Sequence, residues 1–261
     1  SQNSRSFSIL MNQLRMLIHM LKIKSFGSGS SGNGYLIDDG HSQLMIEAGV
    51  QFKKVQQAMR FNFSKVVGCL ISHEHRDHCK YVPQLIDSTS IEFFSTQGTF
   101  KGVSEDSALH LEANDYYRFS FLKYKETTRV GTWYVTPFET EHDAAEPCGF
   151  LIDNTSGDRL VFITDSYYVK YRFPNVTHMM IEANYSKDVI DEKMISGYDA
   201  KRKTRLLESH FDFEQTKSFI KKNKSSRLQE VWLLHLSDSN SIEKQFKEET
   251  QQLVGVPVYI A

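Results

Sequence analysis

Short apolar runs alternate with polar segments along most of the chain and predict a mixed α/β protein. The clearest is Val66–Ile71, an apolar, β-branched run of strand length that is typical of a strand buried on both faces. Alternation over residues 21–26 predicts another strand. Gly34–Asp38 and Gln43–Glu47 predict a hairpin across an Asp-Gly turn.

The same criteria predict the rest of the chain. Further strands are expected at Ile91–Ser95, Tyr117–Leu122, Gly131–Thr136, Gly149–Asp153, Leu160–Thr164, Met179–Glu182, Glu230–Leu236 and Val256–Ile260, and helices at Phe52–Arg60, Cys79–Asp87, Phe213–Lys222 and Ile242–Leu253. No repeat or long linker divides residues 21–261, which therefore predict one domain. Residues 1–20 place leucines at helical spacing, but the strand pattern starts only afterwards. We interpret them as an N-terminal extension or a remnant of expression.

Composition narrows the class of protein. The chain has 261 residues, 40% of them hydrophobic, which suffices for a sizeable core, and its net charge of −1 excludes an overall basic field. Any nucleic-acid contact must therefore come from a local patch. The three cysteines form no CxxC pair and favour a reducing, cytoplasmic location. No apolar run approaches the ~18 residues of a membrane span, so no membrane partner is expected.

Four potential metal ligands follow the apolar run at Val66–Ile71. They are His73, His75, Asp77 and His78. Imidazole and carboxylate groups are usual ligands of zinc and also suit manganese or iron. The alternative is a polar loop with chance histidines, and the density of ligands disfavours it.

Three more candidates stand where apolar strands end. His142 follows the strand near Thr136, Asp165 ends LVFITD and His235 ends VWLLH. Strand ends converge on one rim of a sheet, so distant residues can meet there. Four other histidines lack such a setting and are interpreted as ordinary surface or core residues: His19, His41, His110 and His178.

The segment HEHRDH at residues 73–78 resembles the HxHxDH motif of the metallo-β-lactamase fold superfamily. The resemblance implies an αββα sandwich with two divalent metal ions, zinc or manganese. It also implies that His73, His75 and His142 hold one ion, that Asp77, His78 and His235 hold the other, and that Asp165 bridges both. Such a pair can bind a bridging hydroxide as the nucleophile of a hydrolysis. Glu47 stands where family members usually have aspartate.

Two further residues resemble the ribonuclease Z pattern. Glu182 ends the run MMIE, and His210 precedes a predicted helix. In those phosphodiesterases the matching pair helps to protonate the leaving oxygen, so we assign Glu182 and His210, with Asp77, as catalytic residues. The alternatives are a carboxylate that binds a loop or helix, and a capping histidine.

Several segments together resemble the YycJ/WalJ-like exonuclease branch of this superfamily: GSGSSGN, ISHEHRDH, HDAAEPCGF, FITD, IEANYS, ESHFDFEQ and LLHLSDSN. The implied function is a nuclease acting on DNA ends, with a nucleic acid or nucleotide as substrate and a possible homo-oligomer as the assembly. Alternatives are a cyclic-nucleotide phosphodiesterase like the phage anti-Pycsar proteins of this fold, which the near-neutral charge suits, and a non-catalytic binding module.

One surface remains open between two interpretations. The basic run at residues 201–205 and a set of aromatic residues could hold a nucleic-acid backbone and stack its bases. The set comprises Tyr167, Tyr168, Tyr171, Phe173 and Tyr185. A solvated charged face with core aromatics explains the same residues equally well.

Overall fold

The computed structural model describes residues 21–195, 210–237 and 241–261. Residues 1–20 and the basic run at 201–205 lie outside these ranges, so the interpretations placed on them stay predictions. Within the described ranges, no helix combines the length and the apolar character needed to cross a membrane.

The first half of the chain builds a six-stranded sheet. Its strands lie in chain order from one edge to the other: β1 (Lys22–Gly27), β2 (Gly34–Asp38), β3 (Gln43–Ile46), β4 (Val66–Leu70), β5 (Phe93–Ser95) and β6 (Phe119–Phe121). The β2–β3 pair is the predicted hairpin, whereas β3, β4, β5 and β6 run parallel. Parallel strands end at the same edge, so the loop after β4 leaves beside the residues that follow β3.

The second half builds a seven-stranded sheet in the order β13-β12-β11-β10-β9-β8-β7. Its strands are β7 (Thr128–Val130), β8 (Trp133–Glu139), β9 (Cys148–Asn154), β10 (Arg159–Ile163), β11 (His178–Glu182), β12 (Glu230–Leu234) and β13 (Val258–Ile260). The four strands from β10 to β13 are parallel, and β7, β8 and β9 pair antiparallel. Asp165, Glu182 and His235 therefore leave the same edge of this sheet.

Helices cover the outer faces of both sheets. They are α1 (Phe52–Ala58), α2 (Arg76–Cys79), α3 (Val82–Ser88), α4 (Gln97–Glu105), α5 (Lys187–Ile195), α6 (Phe213–Asn223) and α7 (Glu243–Val254), with a 3₁₀ helix at Ala113–Arg118. The rings of Phe213 and Phe246 stack 4.0 Å apart and join α6 to α7.

Alternation along the strands divides the core into three layers. On β10, Leu160 and Phe162 pack between the two sheets, whereas Val161 and Ile163 pack with α6 and α7. A third cluster joins the outer face of the first sheet to α1, α3 and α4. The architecture is helix, sheet, sheet, helix, and it confirms the predicted αββα sandwich.

Several local predictions differ from the structure, among them the strand expected from Gly131, which begins at Trp133, and the helix at Lys187–Ile195, which was not predicted. The helix expected at Cys79–Asp87 is two helices, because Pro83 lies in the first turn of α3, where its missing N–H costs nothing. The strand expected at Tyr117–Leu122 was wrong at its first two residues, which belong to a 3₁₀ helix begun by a capping box between Glu112 and Asp115.

Helix α4 was missed because it contains Gly98 and Gly102, both poor helix formers. Gly102 is explained by packing. A Cβ atom there would lie 2.4 Å from Cγ of Glu74, inside the HEHRDH segment. The glycine lets α4 approach the loop that carries the predicted ligands.

Candidate metal centre

The loop after β4 carries four of the predicted ligands, and two of them meet His142. His73 precedes α2, and His75 is the residue that caps this helix. The His142 ring lies 4.8 Å from the His73 ring and 4.9 Å from the His75 ring, between centroids. Nε2 of His142 and Nδ1 of His75 are 3.2 Å apart. The three side chains form one group of converging nitrogen atoms.

A second group forms on the other side of the cluster. The single turn of α2 brings Asp77 and His78 beside His235, which follows β12. The Oδ2 atom of Asp77 lies 3.4 Å from Nε2 of His78 and 3.7 Å from Nε2 of His235.

Asp165 lies between the two groups. Its Oδ2 is 3.0 Å from Nε2 of His78, and its Oδ1 is 3.6 Å from Nδ1 of His235. Asp165 also groups with His73 of the first set. Like His235, it has a left-handed backbone, with φ of 45° and 52° respectively, and such rare conformations at non-glycine residues cluster at functional sites.

The loop that carries His142 is fixed by two glutamates. The backbone N–H of Ala145 donates to Oε1 of Glu74 at 2.7 Å, and that of Gly98 donates to Oε2 of Glu146 at 2.6 Å. The Thr96 hydroxyl donates to the Glu146 carbonyl at 2.7 Å. Glu74, a variable position of the motif, thus ties the first ligand loop to the loop of His142.

Asn33, in the glycine-rich loop, was not predicted to belong to the site. Its backbone N–H donates to the Asp77 carbonyl at 2.7 Å, and its Nδ2 donates to the Asp77 carboxylate at 3.3 Å. The neighbouring chain packs so closely that a Cβ at Gly49 would lie 1.6 Å from the Asp77 carbonyl oxygen, so only glycine fits. The only signal in the sequence was the segment GSGSSGNG, whose glycines mark close backbone approach.

Glu47 is also buried at the site, with no exposed surface. Its Oε1 lies 3.5 Å from Nδ1 of His78, and its Oε2 accepts from the backbone N–H of Ser72 at 3.4 Å. The carboxylate therefore lies beside Nδ1 of the His78 ring, although Oε1 and Nδ1 form no hydrogen bond.

Glu182 links His210 to the ligand cluster. Its Oε1 lies 2.6 Å from Nδ1 of His210 and 3.0 Å from Nδ1 of His235. Its Oε2 accepts backbone N–H groups from Ser166 at 3.1 Å and Phe211 at 3.2 Å. A carboxylate accepts only, so both imidazoles carry hydrogen at Nδ1 and leave Nε2 for another partner.

Asn184, which the sequence analysis left without a role, adds to this network. Its Nδ2 donates to the His235 carbonyl at 2.9 Å and lies 3.3 Å from Oε1 of Glu182. It lies inside IEANYS, but the local sequence gives no indication that it reaches a residue so far along the chain.

The site is rich in buried negative charge. Among the described residues, no lysine or arginine lies within salt-bridge distance of Glu47, Asp77, Asp165 or Glu182. Burial opposes ionisation of Asp165, but His235 and His78 hold the pKa of its carboxyl well below the usual range. Burial likewise opposes a charged His235, yet Asp165 and Asp77 raise the pKa of its imidazole to about 10. Protonated histidines or a bound cation must balance the carboxylates.

These residues fit divalent metal ions. Within the described ranges, Nε2 of His73 and Nε2 of His235 are buried without a hydrogen-bond partner. The 3.2 Å between ligand nitrogens of His75 and His142 is close to the ~3.3 Å expected for tetrahedral zinc with bonds of about 2.0 Å. Imidazole and carboxylate donors are the usual ligands of zinc and also suit manganese.

The cluster opens into a cleft of about 170 Å³ lined by His75, Asp77, His142, Asp165, His210 and His235, with Ser30 and Asp143. The remaining histidines were interpreted as ordinary surface or core residues. His41 and His110 are exposed, His178 is buried at the start of β11, and His19 lies outside the described residues.

The aromatic residues considered for base stacking include both buried and exposed side chains. Phe173 and Tyr185 are core residues, with 8% and 1% of their surface exposed, so for these two the alternative of core aromatics holds. Tyr167 and Tyr168 are exposed at 39% and 54% and remain available to a ligand.

The fold and this cluster define a class: a two-sheet sandwich with imidazole and carboxylate groups gathered at the edge where parallel strands end. The sequence matches the family described as the beta-lactamase superfamily domain over residues 35–236. The chain therefore belongs to the beta-lactamase superfamily, as the HEHRDH motif predicted.

Curated relatives match most of the chain. The exodeoxyribonuclease WalJ of Streptococcus pneumoniae is 25% identical over 234 residues, which cover 85% of this chain and 84% of WalJ. The exodeoxyribonuclease YycJ of Bacillus anthracis is 24% identical over 243 residues, covering 90% and 89%.

Solved structures share the fold at low identity. Zinc-bound PqqB from Methylobacterium extorquens has a TM-score of 0.70 at 15% identity, covering 93% of this chain and 97% of PqqB. The short form of human tRNase Z has a TM-score of 0.61 at 14% identity, covering 92% and 95%.

Proposed function

We propose that this protein is a divalent-metal-dependent phosphodiesterase, and that its activity is exonuclease cleavage at DNA ends. Two relatives named exodeoxyribonucleases, each aligned over more than four fifths of this chain, support the substrate class. The cluster of buried imidazoles and carboxylates supports metal-dependent hydrolysis.

In this proposal the chain holds two ions, zinc or manganese. His73, His75 and His142 would hold one, Asp77, His78 and His235 would hold the other, and Asp165 lies between the two sets. When bound, such a pair lowers the pKa of water and polarises a phosphoryl oxygen. The residues around the ligands orient them: Ser72 Oγ lies 2.9 Å from Nδ1 of His73, which directs Nε2 of that ring inward.

The contact between His210 and Glu182, at 2.6 Å, carries the proposal. Cleavage of a phosphodiester expels an alkoxide, which needs a proton. Glu182 accepts the hydrogen on Nδ1 of His210, so Nε2 is the atom that gives a proton to the leaving oxygen. The His210 side chain is 18% exposed and lines the cleft beside the ligands, where a leaving group must pass.

Glu182 has a second task in this scheme. The same Oε1 atom accepts from Nδ1 of His235 at 3.0 Å and holds Nε2 of that ring free for a metal ion. On the other side of the site, Asn33 orients Asp77 by donating hydrogen bonds to its carboxylate and to its backbone carbonyl.

The test is a comparison of substrates. Protein reloaded with zinc or manganese is incubated with end-labelled single- and double-stranded DNA, with RNA, and with cyclic mononucleotides. We expect mononucleotides to be released from DNA ends. Hydrolysis of cyclic mononucleotides alone would establish the alternative phosphodiesterase, and no hydrolysis by fully metal-loaded protein would support a binding module.

A further inference from the structure

A second cleft lies beside the ligand cluster, between the segment after β10 and helix α6. Its volume is about 330 Å³, roughly twice the 170 Å³ of the cleft at the ligands. Its walls come from residues 167–172 and from the cleft-facing side of α6. The mechanism proposed above uses none of these side chains.

The walls of this cleft are joined through the backbone to residues that line the cleft at the ligands. Tyr167 is two residues after Asp165, and Phe211 directly follows His210. The backbone N–H of Tyr167 donates to the Glu141 carbonyl at 3.1 Å, and Gln215 donates from Nε2 to the Tyr167 carbonyl at 3.0 Å. The two walls of the cleft therefore begin within two residues of the predicted bridging carboxylate and of the predicted proton donor.

Tyr167 and Tyr168 have hydrogen-bonded backbones and solvent-exposed rings. The Ser166 hydroxyl donates to the Tyr168 carbonyl at 2.8 Å. The Tyr167 and Tyr168 side chains nevertheless remain 39% and 54% exposed. An aromatic ring on a fixed backbone offers a stacking surface at little entropic cost, which is how proteins hold unpaired bases.

The charge of the cleft is uniformly positive. Lys170, Arg172 and Lys222 line it, and no acidic residue does. In the part of the chain that the structure describes, none of these three cations has a carboxylate within 4.0 Å, whereas Lys217 on the same helix pairs with Glu214 and Glu249. Within the described residues, these three cations therefore line one cleft without a carboxylate partner, and Lys170 lies 5.2 Å from the centroid of the Tyr171 ring. Such a set of cations suits phosphate groups.

We propose that this cleft is a subsite for a single polynucleotide strand, which binds the nucleotides adjoining the scissile phosphate. Tyr167 and Tyr168 stack bases, and Lys170, Arg172 and Lys222 hold phosphates. The proposal rests on the phosphodiesterase function above and specifies its substrate as a strand with unpaired nucleotides beside the cleaved bond. A cyclic mononucleotide at the ligands would leave this cleft unused.

Binding tests the subsite separately from catalysis. The probe is a fluorescein-labelled oligothymidylate with cleavage-resistant phosphorothioate linkages, titrated with full-length metal-loaded protein and followed by anisotropy. We expect Tyr168→Ala to raise Kd about 5- to 100-fold, the range for loss of one stacked base, and Tyr168→Phe to retain affinity. Tyr117→Ala is the matched control, since Tyr117 is 79% exposed and lies outside the cleft.

Salt dependence tests the phosphate contacts. Lys222→Ala should reduce the slope of log Kd against log salt by about 0.7, the value for one phosphate contact to a single strand. Its neighbour Lys221 is also exposed on α6 but does not line the cleft, so Lys221→Ala should keep the wild-type slope. These side chains are at the surface, and circular dichroism verifies that each variant is folded.

The outcomes separate the two proposals. Kd values for Tyr168→Ala and Lys222→Ala equal to those of their controls would overturn the subsite, even if the wild type cleaves DNA. A loss in Lys222→Ala with none in Tyr168→Ala would also overturn it, leaving a patch that attracts any polyanion. Wild-type binding that depends on both residues, without hydrolysis of any phosphodiester, would uphold the subsite and refute the proposed function.

Discussion

Replacing His210 with alanine removes the side chain that we assign to protonation of the leaving oxygen. We expect the chemical step on a natural phosphodiester to slow by about 10²- to 10⁴-fold, the usual contribution of a general acid. At about 1.36 kcal/mol per tenfold, this raises the activation free energy by ~2.7–5.5 kcal/mol. Cleavage of a dinucleotide expels a nucleoside alkoxide, which is a poor leaving group, so this substrate should show the full loss.

The contacts of Glu182 indicate why the fold and the metals should survive this change. After loss of His210, Oε1 of Glu182 still accepts from Nδ1 of His235 at 3.0 Å. Its Oε2 keeps the N–H groups of Ser166 and Phe211, at 3.1 and 3.2 Å. The buried carboxylate therefore stays satisfied, and the stability cost is about one hydrogen bond to a charged group, ~1.5–3 kcal/mol.

The assay compares two substrates by single-turnover kinetics, with bound metal measured by mass spectrometry. Nitrophenolate is a stable anion that needs no proton, so His210→Ala should lose far less activity on bis-p-nitrophenyl phosphate than on a dinucleotide. His41→Ala, an exposed histidine in the β2–β3 turn, is the control and should match wild type. Equal losses on both substrates would refute the acid role, and loss of metal would make His210 a ligand.

One metal analysis and three substitutions test the rest of the site and the core. Metal analysis after reloading with zinc or manganese should give about two equivalents per chain, and a value near zero would contradict the centre. Asp77→Ala should have no more than a few per cent of wild-type turnover with an unchanged circular dichroism spectrum, because we propose that its carboxylate holds the second metal; higher activity would show that the assignment is wrong. Glu74→Ala should weaken metal binding about 10- to 100-fold in a chelator titration, since it releases the loop of His142, whereas Glu74→Gln keeps an acceptor and should bind nearly as well. Phe162→Ala should lower the free energy of unfolding in urea by ~3–5 kcal/mol, because the ring is fully buried between the sheets, while Phe61→Ala, 69% exposed, should change it by no more than about 0.5 kcal/mol.

The local pattern of the sequence was enough to predict most strands and the sandwich. On β10 and β11, a continuous apolar run of four or five residues marks a strand buried on both faces, and both strands lie within one residue of their predicted bounds. Helix α4 was not predictable in this way, because Gly98 packs against Glu146 and Gly102 against Glu74, and both glutamates lie in different parts of the chain. The choice between core and stacking surface stayed open for Tyr185 for the same reason, since the sequence around a tyrosine does not show whether its ring is buried or exposed.

The candidate site was also predictable only where its residues are close together in the sequence or end a strand. The sequence itself determined that His73, His75, Asp77 and His78 lie together, because they occupy one loop after one strand. It also placed Asp165 and His235 at strand ends. Only the tertiary structure decided that these residues face each other, that Glu182 contacts both His210 and His235, and that Asn33 holds Asp77. The physical reason is that periodicity reports on neighbours within a few residues, whereas the parallel pairing of β10, β11 and β12 brings together residues separated by 17 to 70 positions. Asp165 and Glu182 leave one edge of the sheet, and His235 leaves it beside them.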